Sequence, residues 1–110
     1  GSAMADIPGV ARAIQEAGKE DETYVIGTCL VSSAAQYLET GAIDCISFWD
    51  PADAGYALNE LALKCLRGEE IADGLDLTPA GYQDLHLEGN VFEGEAWIDV
   101  TVENMGDYNF

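Results

Sequence analysis

The chain has 110 residues, 48% of them hydrophobic and 23% charged, which is ordinary for a folded domain and too apolar for a disordered tail. Asp and Glu total 21 against 4 Lys and Arg, for a net charge of -17. A surface this acidic repels phosphate backbones and anionic lipid, so nucleic acid is set aside as a partner and anionic membrane surfaces are disfavoured.

Residues 1–4, Gly1-Ser2-Ala3-Met4, have the pattern of an expression scar, a cleavage remnant with a start methionine, and are not expected to belong to the fold. The first helix is expected over residues 7–17, with Ile7, Val10, Ala11, Ile14 and Ala17 on one face. Pro8 suits its first turn and Gly18 its end. After a charged turn, Tyr24-Val25-Ile26-Gly27-Thr28-Cys29 reads as a strand buried on both faces, as in a parallel sheet. Ser32 or Ser33 can cap a short helix through Ala34, Ala35, Tyr37 and Leu38, closed by Gly41. Residues 42–48 read as a second strand. The order strand, helix, strand implies a right-handed crossover and parallel pairing.

Asp50-Pro51-Ala52-Asp53 is a strong helix start, with Asp50 as N-cap and Pro51 at the first helical position. This helix should reach about Arg67 with Leu58, Leu61, Ala62, Cys65 and Leu66 on one face, and Gly68 beyond it. Residues 69–81 are acidic and turn-rich. Residues 84–87, 91–93 and 97–102 read as short strands separated by Gly-containing turns.

Little in the chain has the pattern of catalytic machinery. The lone histidine, His86, lies in a Leu-His-Leu context without a partner base or nucleophile near it in sequence. Carboxylates are too abundant for any pair to signal acid/base chemistry, and the acidic runs lack calcium-loop spacing. Cys29, Cys45 and Cys65 form no disulfide framework or metal motif and read as free, mostly buried thiols. No cofactor is implied. What remains is geometric: in an open parallel sheet, ligands sit beyond the carboxyl ends of the strands. Those ends carry Cys29-Leu30-Val31-Ser32-Ser33 and Trp49-Asp50. An indole face can pack on the apolar face of a sugar while a carboxylate accepts from its hydroxyls. A core tryptophan followed by an ordinary N-cap aspartate is the competing reading.

Three stretches carry a family likeness. They are Gly27-Thr28-Cys29-Leu30-Val31-Ser32, the run from Phe48-Trp49-Asp50-Pro51 to Gly55-Tyr56, and the ending Thr101 to Phe110. Together they resemble the sugar-type periplasmic binding proteins, the substrate-binding components of bacterial ABC importers, and within them the rhamnose- and autoinducer-2-binding subgroup. The resemblance implies an α/β fold, of which this chain is the C-terminal part: residues 5–83 as the later half of a ligand-binding lobe, with parallel strands and crossover helices, and 84–110 as hinge and return strands. It implies a non-catalytic, extracytoplasmic protein, periplasmic or a cell-surface lipoprotein. Its partners would be a small sugar or polyol, an N-terminal lobe absent from this sequence, and an ABC permease. Carried over by position, the ligand contacts are Leu30, Val31, Ser32, Trp49 and Asp50. The family loop often has proline where this chain has Val31, which leaves ligand identity open. A part-lobe exposes sheet edges and apolar faces, so the chain is expected to form a homo-oligomer. Two alternatives stay open: the ligand-sensing part of a transcription regulator with the same fold, and a truncated self-associating domain without ligand.

Overall fold

In the computed structural model, which describes residues 3–110, β1 (Ile26–Thr28) and β2 (Cys45–Phe48) pair in parallel, with Ile26 opposite Cys45 and Thr28 opposite Ser47. Gly1 and Ser2, half of the expected scar, lie outside the described residues. The chain divides into two compact units, one running to Phe48 and resuming over Ile98–Phe110, the other Trp49–Trp97. Residues 84–97 fall in the same unit as the helix that follows β2.

The first unit is built on a three-stranded sheet with β2 at its centre. The strand β5 (Ile98–Val100) joins β2 antiparallel, pairing Ile46 with Val100, Ser47 with Asp99 and Phe48 with Ile98. Two helices, α1 (Asp6–Ala17) and α2 (Val31–Glu39), pack on each other and on the sheet. Gly18 ends α1 in the left-handed conformation (φ 62), donating back to Gln15 O. The core holds Ile7, Ala11, Val25, Leu38, Ile43, Ile46, Phe48 and Val100, with Ile46 and Val100 fully buried. Phe48 sits edge-on to Tyr108 at 5.6 Å and to Phe110 at 5.2 Å, so the chain's last residues close over β2.

Several expectations give way here. The strand in 24–29 is shorter than its apolar run and is not buried on both faces: β1 is the edge strand among the described residues, and Ile26 is exposed. The second strand begins at Cys45 because Ala42 and Ile43 are buried in a turn. There Asp44 clasps Val25, accepting its N–H at 2.7 Å through Oδ2. Neither Ser32 nor Ser33 caps α2; Leu30 holds the cap position in an extended conformation with no side-chain hydrogen bond. In α1, Val10 and Ala17 face outward. Of the three thiols only Cys29 is buried, which pushes its pKa up, while Cys65 is exposed.

The second unit packs α3 (Pro51–Arg67) against the acidic loop and a hairpin of β3 (His86–Glu88) and β4 (Val91–Glu93). The hairpin turns on two residues, with Gly89 at φ 64 in the first turn position, where a side chain is disfavoured. The expected face of α3 is corrected. Ala57 and Leu61 point inward onto Leu77 and Leu85, whereas Leu58, Ala62, Cys65 and Leu66 are exposed. The helix carries apolar residues on two faces, and periodicity cannot choose which one finds a neighbour.

A buried strand position and an exposed helix position make a direct check. Truncating Ile46 to Ala should cost about 2–5 kcal/mol of unfolding free energy, as for a large aliphatic removed from a filled core. Replacing Leu66, which is 84% exposed, by Ser should change stability by no more than about 0.5 kcal/mol. Urea denaturation of the two variants measures both.

Candidate functional site

The parallel pair places the loop after β1 and the residues after β2 at strand carboxyl ends, as the sequence requires. They fall in different units, with Leu30, Val31 and Ser32 in the first and Trp49 and Asp50 in the second. Within the first unit, Val31 is only 6% exposed and belongs to the core, so its side chain faces the interior rather than a ligand. Leu30 is half-buried and Ser32 exposed. The Ser32 N–H donates to Phe110 O at 3.2 Å, which ties the start of α2 to the chain's last residue.

In the second unit the competing readings of Trp49 and Asp50 separate. Trp49 is 48% exposed, so it is not a sealed core residue. Asp50 is a true N-cap: its Oδ1 accepts from Ala52 N at 2.7 Å and from Asp53 N at 3.4 Å. The second carboxylate oxygen is not used by the cap. Capping therefore fixes the carboxylate's direction without consuming its acceptor capacity.

The residue that sequence reasoning passed over is Trp97. Its ring meets Trp49 edge to face, with centroids 5.4 Å apart and planes at 83°. The signal lay in strand register: Phe48 pairs with Ile98, so the next positions outward are 49 and 97. That pairing required knowing that β5 returns beside β2. Trp49, Trp97, Tyr82, Gly94 and Ala96 line a cavity of about 180 Å³.

Two glycines hold this wall in place. At Gly81 (φ 81) an added Cβ would lie 2.5 Å from Ala96 Cα and 2.8 Å from Glu95 O. At Gly94 it would lie 2.7 Å from Gly81 O and from Leu85 Cδ2. The loop at 81 and the segment 94–96 touch backbone to backbone, and only glycine permits it. Tyr82 is presented on the same turn, its N–H donating to Pro79 O and its carbonyl accepting from Leu77 N.

Other groups are structural by their contacts. Exposed His86 bonds Asp73 Oδ1 through Nδ1 at 2.9 Å, and the same oxygen accepts from Leu87 N at 2.7 Å. These bonds, the backbone one first, hold the Asp73 carboxyl below its ordinary value. Glu60 is lowered chiefly by accepting from Thr78 N, which pins the acidic loop to α3. A wide depression of about 590 Å³ is lined by Asp84, His86, Glu93 and Glu95 among others and has no Trp, Tyr or Phe in its lining. Among the described residues no group of three or more His, Cys, Asp or Glu is placed to hold a metal ion, and no helix is long and apolar enough to cross a membrane.

Residues 1–70 match the family model of the periplasmic binding protein domain. The chain belongs to this family. Members of the periplasmic binding protein family are solute-binding proteins rather than enzymes. Among solved structures, the chain is similar to a sugar ABC transporter protein from Actinomyces odontolyticus, with 18% identity and a TM-score of 0.79, covering 98% of this chain and 35% of that one. It is also similar to LsrB from Clostridium saccharobutylicum, solved in complex with AI-2, with 19% identity and a TM-score of 0.63, covering 94% of this chain and 37% of that one. No curated protein matches it significantly. The chain thus spans about a third of the length of these two periplasmic binding protein folds, and the likeness to them is one of fold.

The Asp73 clasp gives a pH-dependent outcome. A carboxyl whose folded pKa is lowered adds stability that is fully present above the unfolded value, 3.8 ordinarily, and is lost as pH falls through the folded value. Wild type should therefore be more stable than Asp73→Asn at neutral pH, with the difference fading as pH drops below 3.8. Paired urea titrations across that range measure it, and slower Leu87 amide exchange in wild type should follow the same trend.

Proposed function

We propose that this chain is part of a sugar-type solute-binding protein of an ABC import system. Its ligand is a small sugar or polyol of the rhamnose or autoinducer-2 kind. The observation that carries the reading is Trp49, half-exposed at the carboxyl end of a parallel strand, beside an aspartate whose direction is fixed by capping. The family supports a solute-binding role and, by resemblance, an extracytoplasmic location. The indole would pack on the ring face of the sugar, and the unused Asp50 oxygen would accept from its hydroxyls. By resemblance to the family, Leu30 at the cap of α2 and Ser32 in its first turn would be further contacts. Val31 would contribute through its backbone, since its side chain is committed to the core.

In this reading the connections at Phe48–Trp49 and Trp97–Ile98 serve as hinge segments. A second lobe, from a chain about three times as long as this one in the two structures compared, would supply the remaining contacts. Closure of the lobes around ligand would then be the state a permease recognises. The apolar stripe of Leu58, Ala62 and Leu66 would be covered by further parts of such a protein or by a second copy of the chain.

Affinity follows from the missing contacts. Micromolar binding corresponds to about -8.2 kcal/mol, and half of that leaves about -4.1 kcal/mol, or about 1 mM. Tryptophan fluorescence of the 110-residue chain, titrated with rhamnose and autoinducer-2, should show binding in the millimolar range or weaker, abolished in Trp49→Ala. A wild-type response that Trp49→Ala leaves intact would refute this placement of the ligand. Micromolar affinity in the chain alone would refute the two-lobe sharing.

A further inference from the structure

We propose that Trp97 is a second ligand-contacting aromatic and the positioning residue for Trp49. The two indoles and Tyr82 then form an angular cradle for a sugar ring rather than an open-chain polyol. The inference rests on the sugar-binding reading above and deepens it by assigning a residue and a ligand shape.

Because Phe48 and Ile98 are paired, positions 49 and 97 are opposed at the same end of the β2–β5 ladder. Opposed aromatic residues on neighbouring strands attract. The rings settle at 83° with centroids 5.4 Å apart, the edge-to-face arrangement that aromatic quadrupoles favour. Both indoles nevertheless remain open, at 48% exposure for Trp49 and 60% for Trp97. Each buries part of its surface on the other and keeps the rest for a third body.

The space they bound is shallow and open on one side. At about 180 Å³ it is smaller than the roughly 300–1,000 Å³ pockets that hold drug-sized ligands. The face of one sugar ring can rest against it. Two perpendicular indoles present one broad face and one edge to a rigid ring with an apolar face. A flexible polyol, which must be ordered to lie flat, loses more entropy on binding there.

Trp97 is also held from behind. Ala96, its chain neighbour, abuts Gly81, where no Cβ can fit, and Gly94 abuts the Gly81 carbonyl. The backbone that presents Trp97 is therefore wedged against the turn that presents Tyr82. A methyl group at 81 must push the two apart.

The test has a ligand-free arm and a ligand arm. These are the chain's two tryptophans, so a Trp–Trp exciton couplet in circular dichroism reports their pairing alone. Wild type should show the couplet. Trp97→Ala, Trp49→Ala and Gly81→Ala should lose it while keeping the helical signal, and in Gly81→Ala both indoles are still present. An unchanged couplet in Gly81→Ala or in Trp97→Ala overturns the positioning role. In the second arm, methyl α-rhamnoside, locked as a ring, is titrated against open-chain rhamnitol by fluorescence. Wild type should prefer the ring, and Trp97→Ala should bind it about two- to tenfold more weakly, the range an aromatic contact contributes, with Trp97→Phe in between. Equal ring binding by Trp97→Ala overturns this inference and leaves the sugar-binding reading standing. No response of wild type to either compound overturns both.

Discussion

The strand β2 is the constraint on which the first unit depends. It is the only strand of its sheet with neighbours on both sides among the described residues, parallel to β1 and antiparallel to β5. Its inward residues, Ile46 and Phe48, anchor the core together with Val100. Its outward Ser47 donates to Asp99 on β5 at 2.5 Å. A slip of one residue between β2 and β5 would turn every one of these side chains to the other face. The same register sets which residue stands opposite Trp49.

The acidity of the chain has a structural use. With 4 Lys and Arg against 21 Asp and Glu, cations cannot neutralise the surface, and exposed ion pairs are worth little in any case. Carboxylates serve instead as acceptors for backbone N–H groups: Asp44 for Val25, Asp50 for Ala52, Glu60 for Thr78 and Asp73 for Leu87. A carboxylate accepts more strongly than a neutral oxygen. Each of these bonds fixes a turn or a helix start where ladder hydrogen bonds are missing. Of the scarce cations, Lys64 and Arg67 lie in the last turn of α3 beside Glu69, where the helix dipole also favours positive charge.

Much of the local structure was legible because its signals are chemically local. Asp50-Pro51 marks the start of α3 because a short carboxylate reaches the free N–H groups and proline lacks one. Gly18 and Gly68 mark helix ends because the left-handed conformation there disfavours a side chain. The parallel pairing of β1 and β2 followed from a crossover too long for a hairpin. The buried face of α3 was not legible, because apolar residues on two faces give one periodicity and two answers. Neither was the role of Val31: an apolar residue just past a strand end can seat in the core or face a ligand, and packing decided for the core.

By itself the sequence determined where helices begin and end, that two strands run parallel, and that Trp49 and Asp50 stand together past a strand end. These depend on residues within a few positions of one another. Only the tertiary structure decided that residues 84–97 stay with α3, that Gly81 and Gly94 touch, and that Trp97 meets Trp49. Each of those joins segments far apart in the chain. Such contacts are chosen by the packing of the whole, through register and close approach, and leave no periodic trace in the segments they bring together.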